Sequence, residues 1–328
     1  MRKVKTRKTI RKEDIEDLIY YKLKNDRFKQ QRLPAWRPVP TLCSIIIFYV
    51  SFALVFVSLG IVVLVYSSEI VTVEIPYNNI CEKQKKKYEI CTVDAQINKD
   101  MKPPIMVYYK LEGFFQNHRR YVKSRSIEQL LGNSWADKGD CTPVITNSQM
   151  GFEENRSSIS ENKEDTLSSG ETAVPCGLIA KTYFNDSFKF FRENKEIQVN
   201  QNNIAFPKDK ELYKNAKKEK QWIDIEDEHF LVWMRPAGLP NFRKLWGRIE
   251  TDIKKGDKIE IEIENNYDVE KNIFGKSIVL STTNEFGGKN TFLGVSFIVV
   301  GIISLLLGIA FPLLIYQKNK NENMRKNY

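Results

Sequence analysis

The side chains that could do chemistry are few and scattered in this sequence of 328 residues. His118 has basic neighbours and no carboxylate close in sequence. His229 follows an acidic run from Asp224 to Glu228, so a carboxylate could orient it, but no serine or cysteine nucleophile lies nearby. Catalytic nucleophiles and acid–base pairs need partners within hydrogen-bond reach. Because the sequence also lacks a phosphate-cradling glycine loop and a zinc-hydrolase signature, we expect no catalytic residues, no cofactor and no enzymatic activity.

The five cysteines suit disulfides better than a metal site. Cys43 lies at the start of an apolar segment, and the other four, Cys81, Cys91, Cys141 and Cys176, lie in the long stretch that follows it. Four cysteines allow three connectivities, of which sequence order favours Cys81–Cys91 and Cys141–Cys176. A zinc site would need closer ligand spacing, and the chain has only two histidines. We therefore expect no metal.

The same stretch holds two sequons and a basic cluster. Asn155 and Asn185 each begin an Asn-x-Ser sequence, the acceptor pattern for N-glycosylation. The basic cluster, residues 117–125 (NHRRYVKSR), could bind an anion. Alternatively, its arginines form ion pairs or cover aromatic surface. We favour this second, structural interpretation.

Two apolar segments must position all of these residues. Leu42–Tyr66 and Phe292–Tyr316 each contain 25 residues without a charge. As helices they would be about 37 Å long at ~1.5 Å per residue, enough to cross a hydrocarbon core of ~30 Å. The first follows about 40 mostly polar residues, unlike the apolar part of a cleavable signal peptide. Both segments are predicted to be retained transmembrane helices.

The distribution of charge sets the expected orientation. The net charge is +10, but residues 1–40 carry 13 Lys/Arg against 5 Asp/Glu, and residues 317–328 carry 4 against 1. Basic flanks of membrane spans stay in the cytosol. Because the positive charge lies at the two ends rather than on a folded face, a nucleic-acid-binding protein is excluded. The predicted organisation is a cytosolic tail (1–41), a span (42–66), a disulfide-bonded, glycosylated lumenal or extracellular domain (67–291), a span (292–316) and a cytosolic tail (317–328).

The large domain is predicted to consist mainly of β-strands. Ile70–Ile75, the start of Pro104–Phe115, Ile259–Ile263 and Ser277–Thr282 have the β-branched or alternating pattern of strands. Several short strands with few helices favour an antiparallel β-sandwich with helical excursions. The predicted fold class is therefore a membrane protein in which two transmembrane helices flank this domain.

Four further segments complete the prediction for the domain. The apolar run Phe230–Met234 is interpreted as a buried strand, and the spacing within Leu239–Ile249 as a short amphipathic helix. The lysine-rich stretch Glu82–Tyr88 is interpreted as a solvated hairpin tip. Ser148–Thr172 is rich in Ser, Glu, Asn and Gly, which is typical of a flexible surface insert.

Small residues recur every seven positions in both spans. The first has Ser44, Ser51 and Ser58, and the second has Gly294, Gly301 and Gly308. A seven-residue spacing keeps side chains on one helix face, and small residues let helices approach closely in lipid. The pattern predicts that the helices pack against each other or against a partner, although membrane helices are rich in Gly and Ser in any case.

Several long stretches resemble the CDC-fifty (LEM-three) family, the accessory beta subunits of type-IV P-type ATPase lipid flippases. They occur in the family's order across most of the chain. They are RLPAWRPVPT (32–41), YYKLEGFFQNHRRYVKSR (108–125), PCGLIAKTYFNDSF (175–188), HFLVWMRPAGLPNFRKLWGRI (229–249) and LSTTNEFGGKNTFLGVSF (280–297).

This resemblance implies a non-catalytic subunit with a glycosylated antiparallel sandwich and cytosolic termini. Such subunits bind a type-IV P-type ATPase and permit its exit from the endoplasmic reticulum, towards the Golgi or plasma membrane. They also support phosphatidylserine or phosphatidylethanolamine transport to the cytosolic leaflet, and so membrane asymmetry. Asn185 matches a glycosylated position of the family, and both disulfides match its pairs. The segment around Asn155 departs from the family's pattern.

The resemblance leaves the partner open. We expect Trp36 and Arg37, between prolines before the first span, to touch the cytosolic edge of the ATPase, and the small-residue faces to touch its membrane region. The Lys- and Asn-rich composition is typical of an AT-rich genome, such as a protist's, where an ATPase-like domain fused to a guanylate cyclase is an alternative partner. A two-span ligand-gated channel shares the topology but usually holds many more disulfides. An adhesion or receptor protein would not need the second span.

Overall fold

The structure is a computed structural model of the chain. It describes residues 19–24, 26–32, 41–83, 90–152, 156–162, 164–267, 275–284 and 287–326. The chain forms two compact units, one made of residues 1–57 and 299–328 and the other of residues 58–298. Trp36, Arg37 and Asn155 lie outside the described residues, as do residues 84–89, where most of the predicted hairpin tip falls.

The elements follow in chain order. The helices are α1 (Leu42–Glu69), α2 (Asn78–Lys83), α3 (Arg119–Lys123), α4 (Ile127–Leu130), α5 (Asn147–Met150), α6 (Leu178–Lys181), α7 (Pro207–Leu212), α8 (Glu228–Met234) and α9 (Thr291–Lys326). The strands are β1 (Thr72–Pro76), β2 (Ile90–Gln96), β3 (Ile105–Glu112), β4 (Arg156–Ser157), β5 (Thr166–Leu167), β6 (Ser187–Arg192), β7 (Lys195–Ile197), β8 (Val199–Asn200), β9 (Phe242–Ile249), β10 (Lys258–Glu264) and β11 (Gly275–Thr282).

Helices α1 and α9 contain the two predicted spans and continue past them. They have 28 and 36 residues, and both are long and apolar enough to cross a membrane. Only 11% of the most apolar part of α1 and 17% of that of α9 are buried within the protein. A core helix of a soluble protein would be mostly buried, so the exposed apolar surface favours lipid as the surroundings.

Two antiparallel sheets form the large domain. The first has the order β1-β11-β3-β9-β8 and the second β2-β10-β6-β7. Alternate residues of the strands are buried, as Ile259, Ile261 and Ile263 of β10 show. The faces that they form meet in one core, where the rings of Phe188 in β6 and Trp246 in β9 lie 5.1 Å apart between centroids. The predicted sandwich between two apolar helices is confirmed.

Two predictions within residues 229–249 are wrong. Phe230–Met234 belongs to helix α8, whose N-cap Asp227 accepts a hydrogen bond from the backbone N–H of His229. An unbroken apolar run has no period, so only the Asp-Glu cap signal could have identified this helix. The predicted helix at Leu239–Ile249 is instead a loop up to residue 241 and then strand β9, which has a register shift against β3. Lys244 occupies an inward position of this strand and hides its alternation.

The predicted insert at 148–172 has regular structure where it is described. Helix α5 starts with a capping box between Thr146 and Gln149. Strands β4 and β5 then pair with each other, and Leu167 is buried. Composition suggested a flexible segment because the few apolar residues of this stretch are far apart, yet one of them reaches the interior.

Candidate partner-binding surfaces

The glycine face of α9 packs against α1. In the unit of residues 1–57 and 299–328, a Cβ added at Gly301 would lie 2.6 Å from Val57 Cγ2 and 3.2 Å from the Ala53 carbonyl oxygen. One added at Gly308 would lie 3.0 Å from Tyr49 Cβ. A side chain at 301 would therefore require the Val57 side chain to shift and the backbone of α1 to yield by a few tenths of an ångström, so the close approach of the two helices depends on glycine there.

The same arrangement occurs in the unit of residues 58–298. A Cβ at Gly294 would meet Leu64 Cγ at 2.6 Å, and one at Gly60 would meet Ile298 Cγ1 at 2.6 Å. The backbone N–H of Asn290 donates to the buried hydroxyl of Ser67, at 3.0 Å. The face of α1 that meets the glycines is therefore the seven-residue series Ala53, Gly60 and Ser67. Sequence reasoning missed this series, although its spacing is visible in the sequence.

The serines singled out in α1 lie on another face. Ser44, Ser51 and Ser58 are all exposed. Ser51 and Ser58 precede Ala53 and Gly60 by two residues, so at ~100° per residue they lie roughly 200° around the helix from the buried face. Ser44 belongs to the same seven-residue series as these two serines. Ser51 Oγ donates to the Phe48 carbonyl oxygen at 3.0 Å, within its own helix. The serine face is thus directed away from the second helix of this chain.

Polar residues of the motif 280–297 hold the sheet to the helix ends. Thr282 Oγ1 accepts from the Val71 N–H at 2.9 Å, and Asn284 Nδ2 donates to the Tyr66 carbonyl oxygen at 2.9 Å. Strand β11 therefore starts at the far end of the sheet and returns to the point where α1 ends and α9 begins. These bonds explain why polar residues interrupt the apolar pattern at this position.

Two of the recognisable motifs meet at the opposite end of the sheet. Loop 113–117 follows β3, and loop 235–241 precedes β9. Four hydrogen bonds join them, Gly113 N to Asn241 Oδ1 (2.9 Å), Phe114 N to Pro240 O (3.0 Å), Ala237 N to Gln116 Oε1 (2.9 Å) and Asn117 Nδ2 to Gly238 O (2.8 Å). The loops expose Phe115 and Leu239, and their conformations depend on each other.

A buried ion pair connects the two sheets. Lys276 Nζ of β11 lies 2.9 Å from Asp186 Oδ2, next to the start of β6, and both side chains are at most 1% exposed. Tyr77 Oη donates to the same carboxylate at 2.6 Å, and the Tyr267 N–H donates at 2.6 Å. Burial, with Asp186 as the next cause, raises the pKa of Tyr77 well above its usual value. Sequence reasoning missed this cluster, although its carboxylate is the middle residue of the Asn185 sequon.

Lys244 is a second buried lysine, and it caps helix α8. Its Nζ donates to the carbonyl oxygens of Val232 and Trp233, both at 2.9 Å, and of Arg235 at 2.5 Å. The last carbonyls of a helix have no partner within the helix, so the lysine satisfies them. Burial lowers the pKa of Lys244 to about 7.

Both predicted disulfides are present in the structure. Cys81–Cys91 joins α2 to β2 with Cα atoms 5.5 Å apart, and Cys141–Cys176 has a Cα separation of 5.6 Å. Gln129 Oε1 accepts from the Cys176 N–H at 2.9 Å, in the buried interior. Cys43 is a free, exposed thiol at the start of α1.

A groove of about 1120 Å³ opens at the end of the sandwich where loop 113–117 lies. Part of the predicted basic cluster lines it, with His118, Arg120 and Lys123 alongside Lys181 and Asp140. The structure shows no ion pair for Arg119, Arg120, Lys123 or Arg125 with any residue that it describes. The described residues therefore do not support the interpretation that the arginines of the basic cluster form ion pairs.

Asn185 lies at the rim of this groove with its side chain exposed. Its neighbours Phe184 and Asp186 are buried, so the backbone at the sequon is held in place on both sides. Ser187, which completes the sequon, donates a hydrogen bond to Glu264 Oε2 at 2.8 Å.

The second histidine is part of the core wall. His229 Nε2 lies 2.9 Å from Gln201 Oε1, and its ring packs 5.6 Å from that of Trp246. Burial lowers the pKa of His229, and the nearby charges of Asp227 and Glu228 partly oppose this shift. Among the described residues, no three His, Cys, Asp or Glu side chains are grouped to hold a metal.

Comparison with known proteins settles the family. Residues 63–321 match the model of the LEM3 (ligand-effect modulator 3) family / CDC50 family. The chain belongs to this family. ALA-interacting subunit 3 of Arabidopsis thaliana is 36% identical over 89% of this chain and 85% of its own length. Cell cycle control protein 50A of Bos taurus is 32% identical over 91% and 90%. The phospholipid-transporting ATPase accessory subunit CDC50 of Chaetomium thermophilum is 30% identical over 69% and 60%.

In this CDC50-family chain, the recognisable motifs have distinct structural places. The motif 280–297 joins the sheet to the helix pair, and the motifs 108–125 and 229–249 form the interlocked loops at the opposite end. The motif 175–188 contributes both a disulfide cysteine and the sequon with its buried Asp186.

Proposed function

We propose that this protein is the non-catalytic beta subunit of a phospholipid-flipping type-IV P-type ATPase. The observation that carries the proposal is the match to the CDC50 family over residues 63–321, which covers the large domain and most of α9. A relative that covers 69% of this chain is named as an accessory subunit of a phospholipid-transporting ATPase. The subunit would assist the folding of the ATPase, its exit from the endoplasmic reticulum and its transport cycle.

The proposed orientation places both termini in the cytosol and the sandwich in the lumen or outside the cell. The basic flanks at residues 1–41 and 317–328 support it through their charge. The two disulfides are in accord with an oxidising compartment. The complex would work in the endoplasmic reticulum, the Golgi or the plasma membrane and move aminophospholipids to the cytosolic leaflet.

The exposed serine face of α1 is the proposed membrane contact with the ATPase. The glycines at 294, 301 and 308 are occupied by contacts within the chain, whereas the serines at 44, 51 and 58 are exposed. Small residues permit close approach of a second helix in lipid. Trp36 and Arg37 are proposed to add a contact at the cytosolic edge.

Lipid uptake with and without a partner tests the function. Cells would express this chain alone, each candidate type-IV ATPase alone, and the two together, and uptake of fluorescent phosphatidylserine and phosphatidylethanolamine would be measured. We expect uptake to rise only with the pair, and not with an ATPase that lacks its phosphorylated aspartate. Conductance or uptake by this chain alone would contradict the proposal. Affinity purification with mass spectrometry would identify the partner, including a cyclase-fused ATPase.

Variants of α1 test the serine face. Ser51→Leu adds bulk on that face. Ile61→Phe adds bulk at an exposed position that lies roughly 80° around the helix from Ser51. We expect Ser51→Leu to reduce co-purification of the ATPase at least tenfold at unchanged expression, and Ile61→Phe to leave it unchanged. Equal recovery with both variants would remove the serine face from the interface. Trp36→Ala with Arg37→Ala is the corresponding test of the cytosolic edge.

Glycosylation at Asn185 is proposed from its exposed side chain and complete sequon. Asn155 is a second proposed acceptor. Glycopeptide mass spectrometry of the protein from a eukaryotic host tests both, with Ser187→Ala and Ser157→Ala as the variants that remove each sequon.

A further inference from the structure

The groove beside Asn185 lies at the end of the sheet opposite to the point where α1 ends and α9 begins. Strand β3 pairs with β11 from Ile105, opposite Thr282 at the helix ends, to Glu112, opposite Gly275 at the far end. At about 3.3 Å per residue, the eight-residue strand separates the two ends by roughly 25 Å. Loop 113–117 follows that far end. The groove therefore lies roughly 25 Å, measured along the sheet, from the point where α1 ends and α9 begins.

The lining of the groove combines exposed aromatic surface with polar groups. Phe115 is 60% exposed; Tyr183, which is half-buried, and Tyr267, which is buried, contribute to the wall behind it. Arg120 and Lys123 provide hydrogen-bond donors, and Asp140 provides an acceptor. Ligand sites typically have apolar and aromatic walls with a few polar groups that fix orientation. A sugar ring has this same character, since its C–H faces are apolar and its rim carries hydroxyl groups.

We propose that this groove binds the N-linked oligosaccharide attached to Asn185, an inference that rests on the glycosylation proposed above. The attachment point lies within the lining of the groove, and the buried neighbours Phe184 and Asp186 fix its backbone. The sugars nearest the protein stack on Phe115, and their hydroxyl and acetamido groups bond to Arg120, Lys123 and Asp140.

Because the glycan is covalently attached beside the groove, weak contacts are enough to keep it bound there. A ligand joined by a short flexible link has an effective concentration in the millimolar range. A contact with a dissociation constant of about 0.1 mM would then be occupied about ten times as often as it is empty. No partner segment has this advantage, so the attached glycan is the favoured occupant of the groove. The cations also suit an acidic segment of a partner protein, and the test separates the two.

Release of the glycan from native protein tests the proposal. The full-length chain, purified from a glycosylating eukaryotic host together with its ATPase, is treated with an endoglycosidase, and cleavage at Asn185 is followed by glycopeptide mass spectrometry. A docked glycan protects its first sugars. We expect Phe115→Ala and Arg120→Ala each to speed cleavage several-fold, towards the tenfold limit of an undocked glycan, and to leave the rate on denatured protein unchanged.

Control variants outside the groove test whether the effect on the cleavage rate is specific to the groove. Phe206→Ala removes a phenylalanine that is 59% exposed, almost the same as Phe115, and Lys208→Ala removes an exposed cation; neither residue lines the groove. Both should leave the native cleavage rate unchanged. Ser187→Ala, compared with Ser187→Thr, removes the glycan and should increase trypsin cleavage at Arg119 and Arg120 of native protein.

Each alternative outcome overturns the proposal. One is cleavage of wild type and groove variants at equal rates, and another is the absence of a glycan at Asn185. A third is loss of the co-purified ATPase in the groove variants at unchanged cleavage rates, which would assign the groove to a partner segment. Because ATPase recovery is measured in the same samples, failure of the glycan proposal is distinguishable from failure of the proposed subunit function.

Discussion

Lys276 and Lys244 are both buried, but the protein satisfies their charges in different ways. Lys276 faces a carboxylate, Asp186, across the two sheets, whereas Lys244 donates to three backbone carbonyls at the end of α8. Lys276 also donates to the oxygens of Asn265 and Tyr267, so its site combines a counter-ion with dipoles. The Lys244 site has backbone dipoles and the ring of Trp233 but no carboxylate among the hydrogen-bond partners described. The difference shows two uses of a buried lysine in one fold. Lys276 joins elements of the two sheets, whereas Lys244 caps the end of a single helix.

Breaking the ion pair should have the largest effect on stability. Asp186→Asn, which keeps the Asn185 sequon complete, or Lys276→Met leaves one buried charge without its counterpart, at a cost of about 3–5 kcal/mol. The double variant should lose less than the sum of the two, because neither charge is then left unpaired. Denaturant unfolding of the full-length chain, followed by tryptophan fluorescence, measures this. The exposed Lys189→Met is the control, and strict additivity would contradict the coupling.

Removing Lys244 should have a smaller effect. Lys244→Met removes the donor to three backbone carbonyls but leaves no carboxylate without its counter-ion. We therefore expect the free energy of unfolding to fall by about 1–3 kcal/mol. The same unfolding measurement applies. A loss as large as that of Lys276→Met would show that dipoles and a counter-ion stabilise a buried lysine equally well, and the contrast between the two sites would fail.

The pH dependence of stability should distinguish Lys244 further. Its pKa is about 7 in the folded protein, against a usual value of ~10.4 in an unfolded chain. Between these values the unfolded chain binds more protons, so stability rises with pH, by at most about 1.4 kcal/mol per pH unit. The difference in unfolding free energy between wild type and Lys244→Met should therefore grow from about pH 7 to about pH 9. A constant difference over that range would contradict this.

Glu228 should show the smallest effect, at the acidic end. Burial alone would raise its pKa, but hydrogen bonds from the Ala205 and Asn203 N–H groups and from Lys210 lower it to about 2. The stabilisation is complete above about pH 4.5 and is lost as the pH falls through about 2. Because solvent screens this site, we expect about 1 kcal/mol. Glu228→Gln should remove this acid-dependent component, and an unchanged acid profile would contradict the assignment.

Sequence patterns predicted the parts of the fold that depend on the spacing of apolar residues, on the length of uncharged segments or on the order of the cysteines. Length and lack of charge identified both apolar helices, alternation identified β10, and sequence order gave both disulfide pairs. The β9 prediction failed because Lys244 faces inward, and its burial depends on carbonyls of α8 that a pattern within the strand cannot show. The serines of α1 were as regular as the glycines of α9, and only burial separated the face packed within the chain from the exposed one.

The candidate site depended even more on tertiary structure. The sequon and the basic cluster were visible separately, about 60 residues apart. That they border one groove follows from the chain returning to the same end of the sandwich. The Asp186–Lys276 pair was invisible for the same reason, because its members are 90 residues apart.

Strands β1 and β11 are neighbours in the sheet, with Thr72 opposite Ser281. The first and last strands of the sandwich thus begin and end side by side, as in domains that tolerate insertion into another protein. A soluble fragment cut at these two points would retain every strand of both sheets and both disulfides. Its new termini, about 5 Å apart across the ladder, could be joined by a short linker to give a circular form of the sandwich domain for crystallisation.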